Sequence, residues 1–419
     1  MVHSHLSQHG DNLWLLNTEA GGPRRKLWFA DLDLALEVQR RYLFGSKPFL
    51  VSYSQVSQFM RCRYRWHLSR IERINARKTP IYFSKGRAVH SMLEHVLLDK
   101  HTLKTKGVPF DLADSLSAGY NDYITRSVEE AVGDMSEDER AELVLIGEEA
   151  MWLVRKFMDE LDIDKYETKC IPGTDMPMIE QGFVVSAPLV AHQLIGVIFY
   201  PDWVFGPTGE PGSFLADFKV RSSFTPPEDE DINLQAMIYS RALRDFGVNI
   251  DGTASIQIRS APPTQPKMLK NGTMSRAANI RCDWESYKTA LVTHGLDPAE
   301  YEDEMELKLS GNNWVQDTRA FRGRHELEVA WADFLRASHE LDRELVYSPR
   351  GEVPTVSTNP PGVYRVLNLM ECRGCWARQY CVADLRGDDL EGLLQTNYYR
   401  EGDEQTAPAG LESVEMTDG

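Results

Sequence analysis

The sequence predicts an α/β fold in which a central sheet is flanked by helices. Residues 166–260 show the order strand, strand, strand, helix, strand, and the last strand covers 255–258. Helical patterns are predicted over 86–98, 110–165 and 322–345. A chain of 419 residues is long enough for one large domain with insertions.

The centre of the predicted sheet is a hairpin. Residues 194–205 and 213–220 are predicted strands, and the Gly- and Pro-rich stretch 206–212 between them is typical of a turn. The midpoint between Asp202 and Asp217 falls in this turn. Antiparallel pairing therefore places the two carboxylates roughly opposite each other.

Lys219 adds a cation to these carboxylates, because it is two positions from Asp217 and points to the same face of the strand. Hard oxygen ligands suit Mg²⁺ or Mn²⁺. Such an ion polarises a phosphodiester, and a neighbouring lysine orients the attacking water or stabilises the transition state. Asp and Lys also alternate on ordinary exposed hairpins, so this pattern alone leaves a purely structural role open.

The cysteines form a second pattern. Three of the six follow a C-x2-C-x5-C spacing near the end of the chain, and one stands far upstream (Cys372, Cys375 and Cys381; Cys62). The sequence has no secretory segment and no apolar run of membrane-spanning length, which predicts a reducing, cytoplasmic location without membrane association. Clustered cysteines there more often bind metal than form disulfides, and four thiolates fit Zn²⁺ or an iron–sulfur cluster. Scattered buried cysteines are the alternative.

Together these features resemble the RecB-like exonucleases of the PD-(D/E)XK superfamily. The closer similarity is to the branch with an iron–sulfur staple, which includes the nuclease domain of AddB and the CRISPR-associated adaptation exonucleases. Five matching elements occur in the family's order: an opening helix with a lone cysteine (52–66), a G-x-x-x-H-x-x-L-E helix (86–94), Pro201-Asp202 with Asp217-Phe218-Lys219, a Q-x-x-x-Y helix (235–239), and the three late cysteines.

The resemblance implies a restriction-endonuclease-like core, with a mixed central sheet, a helical insertion and a C-terminal iron–sulfur segment. It implies a metal site formed by His90, Asp202, Asp217 and the backbone carbonyl of Phe218. Glu94, one helical turn after His90, is expected to bind a second metal, to orient His90 or to be exposed.

Gln235 and Tyr239 are four residues apart on a helix predicted over about 229–246. The resemblance implies that they line the catalytic cleft, and the alternative is a helix face packed beside the sheet. It also implies one structural [4Fe-4S] cluster, with Zn²⁺ as the alternative, held by the four cysteines of the matching elements (Cys62, Cys372, Cys375 and Cys381).

The formal net charge of −17 is unusual for a protein whose substrate is a polyanion. A locally basic segment runs from residue 61 to 78. In its first part, Arg61 and Arg65 are expected to track phosphates, and Tyr64 and Trp66 to stack on unpaired bases. A solvated basic helix is the alternative.

Five ranges describe the predicted organisation. Residues 1–48 form N-terminal strands or a cap, and 49–385 form the nuclease domain. Within that domain, 110–165 is a helical insertion over the cleft and 366–385 binds the cluster. Residues 400–419 form a disordered acidic tail. The sequence has no phosphate-binding G-x-x-x-x-G-K-[ST] loop, so the chain is not itself expected to be a helicase.

These features predict a metal-dependent DNA exonuclease that acts on single-stranded or frayed ends, in recombination, repair, or a mobile element or phage. A helicase or recombination partner and a homo-oligomer are compatible with the composition. One alternative is a non-catalytic or partner-dependent DNA-binding subunit of a helicase–nuclease or spacer-acquisition assembly. Another is a zinc-stapled interaction protein.

Overall fold

The structure is a computed structural model that describes residues 4–10, 13–18, 25–43, 49–77, 81–129, 135–186, 194–277, 280–347, 365–366 and 368–400. The predicted acidic tail lies outside the described residues, except for its first residue, Arg400. No helix among the described residues has the length and apolar character that crossing a bilayer requires.

The described strands form two mixed sheets and a small two-stranded sheet. In chain order they are β1 (Ser4–Gly10), β2 (Leu13–Thr18), β3 (Arg25–Phe29), β4 (Phe49–Val51), β5 (Ile74–Ala76), β6 (Tyr166–Thr168), β7 (Gly182–Ser186), β8 (Leu194–Phe199), β9 (Trp203–Pro207), β10 (Phe214–Arg221), β11 (Gly252–Arg259), β12 (Val315–Phe321) and β13 (Tyr398–Arg400). The six-stranded sheet has the order β1-β2-β3-β7-β8-β4, the five-stranded sheet β12-β11-β10-β9-β6, and β5 pairs with β13. The predicted N-terminal segment thus supplies three strands to the larger sheet.

Several of the described helices pack against these sheets. The described helices are α1 (Leu32–Leu43), α2 (Tyr53–Arg61), α3 (Arg63–Arg70), α4 (Ile81–Lys106), α5 (Leu112–Glu129), α6 (Glu137–Glu160), α7 (Leu234–Leu243), α8 (Trp284–Thr293), α9 (Glu302–Leu309), α10 (Arg324–Tyr347), α11 (Leu369–Arg373), α12 (Arg378–Arg386) and α13 (Leu390–Thr396). Helices α4, α5 and α6 pack against one another. Within the predicted helix over 229–246, only α7 is α-helical. The first part of that range belongs to the 3₁₀ turn Pro227–Ile232, and Asn233 caps α7.

The prediction of one strand over 194–205 is wrong. The chain leaves the six-stranded sheet after β8 and enters the five-stranded sheet at β9. Pro201 lies in the gap between the two strands, and it has no N–H to donate to a strand ladder. Asp202 therefore lies at the junction between the two sheets.

The predicted antiparallel register is confirmed for β9, which contains the end of the predicted strand 194–205. In the β9–β10 ladder Leu215 pairs with Val204 and Ala216 with Trp203. Continuing this register by one residue brings Asp217 opposite Asp202. Strand β10 also pairs with β11, in parallel, which makes the five-stranded sheet mixed as predicted.

Two large apolar clusters meet near this junction. One contains Phe183 and Phe199 of the six-stranded sheet together with Phe246. The other contains Val89 of α4 and Phe218 of β10, with further residues of α6 and β11. Side chains alternate along β10, so Phe218 faces the second cluster while Asp217 and Lys219 point the other way.

Candidate metal centre

His90 lies near the middle of α4, which packs on β10. The helix extends further at both ends than the predicted range 86–98. The Nε2 atom of His90 is 3.1 Å from the carbonyl oxygen of Phe218, and the Nδ1 atom of His90 is 3.2 Å from Oε1 of Glu180. The imidazole therefore bridges the main chain of β10 and a carboxylate from the segment just before β7.

Donor atoms of His90, Glu180 and Asp202 all lie within 4.8 Å of one another. Oδ2 of Asp202 is 3.9 Å from Nδ1 of His90, and it accepts a hydrogen bond of 2.6 Å from the Phe218 N–H. Only 12% of the Asp202 side chain is exposed. One imidazole and two carboxylates at this separation form a ligand set for a divalent cation.

Glu180 was not among the residues predicted from the sequence. It has a φ of 49°, a left-handed conformation that costs a non-glycine residue about 1–2 kcal/mol. Its N–H donates to the carbonyl oxygen of Pro201, 3.0 Å away, which holds this backbone beside the sheet junction. The only signal in the sequence is an acidic residue just before the apolar strand β7, and many surface residues share that pattern.

Asp217 stands apart from this group of three. Its Oδ1 atom accepts hydrogen bonds from Nζ of Lys219 at 2.7 Å and from Nε2 of Gln235 at 3.5 Å. Its Oδ2 atom is buried and has no hydrogen-bond partner among the described residues. A buried carboxylate oxygen without a partner is unfavourable, and a cation next to it would supply the missing interaction.

The electrostatics of the pocket favour a bound cation. Burial raises the pKa of Asp202, and the nearby Glu180 and Asp217 carboxylates add to this effect against the opposing effect of His90. Burial disfavours the His90 imidazolium, but the field of Asp202 and the hydrogen bond to Glu180 outweigh it and raise the pKa of His90. The raised pKa values show that this site has more buried carboxylate charge than its cations offset. A divalent ion would offset that charge in place of bound protons.

Lys219 is the fixed cation beside these carboxylates. Burial acts to lower its pKa, but Asp217 and Asp202 outweigh burial and raise it. The raised pKa keeps the ammonium group charged, and about one third of the side chain is exposed.

Comparison with known families identifies the superfamily of the chain. The family model of the PD-(D/E)XK nuclease superfamily matches residues 50–382. The chain belongs to the PD-(D/E)XK nuclease superfamily. No curated protein matches it. Nucleases of this superfamily use divalent metals, which agrees with the ligand set of His90, Glu180 and Asp202.

Other predicted residues of the nuclease lie around this centre. Glu94 is one turn after His90 and partly buried; burial and the field of Glu180 raise its pKa to about 7. It is not one of the three residues that meet at the centre. Tyr239 lies one turn after Gln235 on α7, with its ring 5.2 Å from that of Phe199. Burial and the field of the Asp202 and Asp217 carboxylates raise the pKa of Tyr239.

The four predicted cluster ligands line one cavity of about 220 Å³ (Cys62, Cys372, Cys375 and Cys381). No three cysteine sulfur atoms among the described residues lie within 4.8 Å of one another. Four thiolates around one Zn²⁺, with Zn–S bonds of about 2.3 Å, would be closer together than that. The structure therefore brings the four cysteines to the same cavity without a compact tetrahedral set.

The cavity joins distant parts of the chain. Cys62 ends α2 and begins α3, and the apolar cluster beside it combines Tyr64 and Leu68 of α3 with Tyr380 of α12. The β5–β13 ladder adds main-chain hydrogen bonds between the same two regions. The hydroxyl of Tyr64 donates to Asp384 at 2.5 Å, and Asp384 also pairs with Arg365.

The predicted stacking of Tyr64 and Trp66 on nucleic-acid bases is wrong. Tyr64 is 5% and Trp66 1% exposed, and the Trp66 ring packs edge-on against Phe59. The extended backbone at Cys62 breaks the predicted helix in two and turns both aromatic residues inward. Arg61 is exposed, whereas Arg65 lines the cysteine cavity.

Proposed function

We propose that this nuclease is a RecB-like DNA exonuclease that hydrolyses phosphodiester bonds at single-stranded or frayed ends. The observation that carries the proposal is the convergence of His90, Glu180 and Asp202 beside Lys219 and Asp217. The Oδ2 atom of Asp217 has no hydrogen-bond partner among the described residues. Action on DNA ends, product 5′-phosphates and a role in recombination, repair or a mobile element or phage are supported by the order of the sequence motifs.

Each residue of the pocket has a role in this proposal. His90, Glu180, Asp202 and Asp217 would hold Mg²⁺ or Mn²⁺, with the carbonyl of Phe218 beside them. The ion would polarise the phosphodiester and lower the pKa of a bound water.

Lys219, held by Asp217, stabilises the negative charge that develops on the phosphoryl oxygens. Gln235 keeps Asp217 in place from the other side, and Tyr239 lines the cleft one turn further along α7. Glu94, with its raised pKa, orients His90 or serves a second ion.

The cysteine cavity is proposed to hold one [4Fe-4S] cluster. Four cysteines surround about 220 Å³, and their sulfur atoms are spread more widely than a single Zn²⁺ requires. The cluster would fasten the start of the domain, near 49, to its end, near 385. Its role is structural, because the pocket that contains Asp217 is made of other elements. Zn²⁺ is the alternative occupant.

The test is digestion of oligonucleotides labelled at the 5′ or the 3′ end, single-stranded or as frayed and blunt duplexes, with Mn²⁺, Mg²⁺ or chelator. Wild-type protein is expected to shorten single strands only with the metal. Asp217→Ala and Lys219→Ala are expected to abolish cutting while DNA binding and iron content persist.

Lys169→Ala is the matched control, because Lys169 pairs with Glu167 two residues away but outside the pocket. Cutting by the Asp217 and Lys219 variants at the wild-type rate would show that the assigned site is wrong. DNA binding without any cutting would instead favour a partner-dependent subunit that acts with a helicase or recombination protein. Cytoplasmic location and homo-oligomer formation remain part of the proposal.

A further inference from the structure

Two arginines continue the row of polar side chains beyond the catalytic lysine. Asp217, Lys219 and Arg221 alternate along β10 and so share one face. In the parallel β10–β11 ladder, Lys219 is aligned with Gln257 and Arg221 with Arg259. Aligned residues of neighbouring strands share a face, so both arginines are placed at the carboxyl ends of the strands, on the face of the sheet that carries Lys219. The guanidinium of Arg259 also lies 6.0 Å from the ring centroid of Trp314, at the end of β11.

Neither arginine has an ion-pair partner among the described residues. Arg221 is exposed and lies two residues from Lys219 on the same face of β10, so the two cations are close. Arg259 is partly buried, and its Nε atom has no hydrogen-bond partner within the described part of the chain. In a chain with 63 acidic and 46 basic residues, three cations side by side form a local exception. Like charges aligned across strands are destabilising, which an anionic ligand would relieve.

The segment after β10 holds Arg259 in place. The guanidinium of Arg259 lies over the ring of Phe224, 4.7 Å from its centroid. The next residue, Thr225, is fixed by two hydrogen bonds with the side chain of Gln257, at 2.8 and 2.7 Å. The N–H of Ser260 donates to the carbonyl of Arg221 at 2.7 Å and extends the ladder past both arginines. This part of the surface is therefore organised before any ligand binds.

We infer that Arg221 and Arg259 bind phosphates of the nucleic-acid strand next to the phosphate that is cut. This inference rests on the proposed nuclease function, and it states where the substrate strand runs relative to the metal centre. A strand advances about 3.3 Å per residue, so the Cα atom of Arg221 lies about 7 Å beyond that of Lys219. Guanidinium groups bind phosphate oxygens in a bidentate manner. The two arginines are positioning residues, because they hold the strand while the metal centre acts on it.

The test compares Arg221→Gln, Arg259→Gln and the double variant with wild-type protein in Mn²⁺-dependent digestion of a labelled single strand. We expect KM to rise about five- to tenfold for each substitution, with kcat changed less than twofold. The slope of log KM against log salt concentration is expected to fall by about 0.7 for each arginine that no longer binds a phosphate. Arg336→Gln is the control, since Arg336 is an exposed arginine of α10 that pairs with Asp333, and it is expected to change neither quantity.

Arg259→Lys tests for a structural role, because it keeps the charge and shortens the side chain that lies over Phe224. Retention of most of the salt slope in this variant supports phosphate binding. A fall in kcat with unchanged KM, or an unchanged salt slope in the double variant, overturns the inference even when wild-type protein cuts normally.

Binding of the same strand in chelator, measured by fluorescence anisotropy, separates this inference from the proposed function. Weaker binding of the double variant there supports phosphate binding by the arginines even if wild-type protein does not cut. Equal binding of the double variant and the wild type in chelator contradicts it.

Discussion

The metal centre and the cysteine cavity both gather residues from distant parts of the chain, but only the metal centre has its donor atoms close together. Hydrogen bonds from protein groups fix the carboxylates there: the Phe218 N–H donates to Asp202, and Lys219 donates to the neighbouring Asp217. Cysteine thiols are weak hydrogen-bond donors and acceptors, so the sulfur atoms around the cavity have little to draw them together. The fold alone therefore brings the donor atoms of the first site together, whereas it leaves the cysteine sulfur atoms spread around their cavity.

The strongest test of this contrast is Glu180→Gln. This substitution keeps the shape of the side chain and removes one charge from the three donors of the metal centre. We expect Mn²⁺-dependent cutting to fall by at least about 10³-fold, equivalent to about 4 kcal/mol in the barrier. The thermal midpoint of metal-free protein is expected to stay about level, because the substitution relieves repulsion with Asp202 but also removes a charge that stabilises the His90 imidazolium.

Glu167→Gln is the matched control, since Glu167 is a partly exposed carboxylate that pairs with Lys169 outside the pocket. It is expected to cut at the wild-type rate. If the Glu180 variant cut normally, or unfolded at a clearly lower temperature, the metal centre would not be organised in the way the contrast requires.

Cys375→Ser tests the other half of the comparison. If a bound cluster organises the cavity, this variant should lose iron and about 3 kcal/mol of stability together, with lower solubility. Protein that remains folded at low temperature should still cut in Mn²⁺, because Cys375 is not part of the metal centre. Iron content, visible absorption and the thermal midpoint measure these effects.

Cys170→Ser is the control for that variant, since Cys170 is a partly buried cysteine whose sulfur lies 3.7 Å from His101, outside the cavity. It should retain iron and stability. Full iron occupancy in the Cys375 variant would show that Cys375 is not a cluster ligand. Zinc instead of iron in the wild type would show that the cavity holds a single zinc ion and no cluster.

A smaller effect is expected from Tyr64→Phe, which removes the hydrogen bond to Asp384 beside the cysteine cavity. The ion pair between Asp384 and Arg365 remains, so the loss should be about 1–2 kcal/mol and iron content should be unchanged. The thermal midpoint measures the loss. A decrease in iron as large as in the cysteine variant would show that protein groups, rather than the bound cluster, organise this region.

The local patterns in the sequence predicted part of both sites. The spacing of Asp202 and Asp217 about a turn gave the correct register, because antiparallel ladders are symmetric about their turns. The periodicity predicted the helices α4 and α7, whereas the resemblance to a known family implied that His90 and Gln235 of these helices lie beside the hairpin. These features depend on residues that are close in sequence or on regular helices.

What the sequence did not predict depends on the arrangement of whole elements. Glu180 enters the pocket because two sheets meet and its backbone is left-handed, and neither fact has a local signature. Trp66 lies in a segment whose composition is typical of nucleic-acid binding. The break between the two helices at Cys62 directs the Trp66 side chain into the core. The chain divides into β8 and β9 around Pro201. The sequence does not reveal this division, because the residues on both sides of Pro201 are mostly apolar and look like one strand.

The smallest predicted effect concerns pH at the edge of the cysteine region, where Glu72 is bonded to His67 at 3.2 Å and to Arg400 at 3.4 Å. The hydrogen bond from His67 outweighs burial, and with the charges of His67 and Arg400 it lowers the pKa of Glu72. A lowered carboxyl pKa contributes stability above the unfolded pKa of about 4.5, and this contribution is lost as pH falls through the folded value. Glu72→Gln should therefore cost about 1 kcal/mol at pH 7, and the difference from wild type should disappear towards pH 3.

Hydrogen exchange of the backbone amides in the β5–β13 ladder, in which Arg400 pairs with Ile74, measures this local effect. The wild type should be better protected than the Glu72 variant at pH 7, after correction for the intrinsic exchange rate, and equally protected near pH 3. Glu304→Gln is the control, because Glu304 pairs with Lys308 and Arg276 on a distant surface and its change should leave this ladder unaffected. A difference in protection that persisted at pH 3 would contradict this prediction, because the protonated carboxyl of Glu72 is then as uncharged as the amide of the variant.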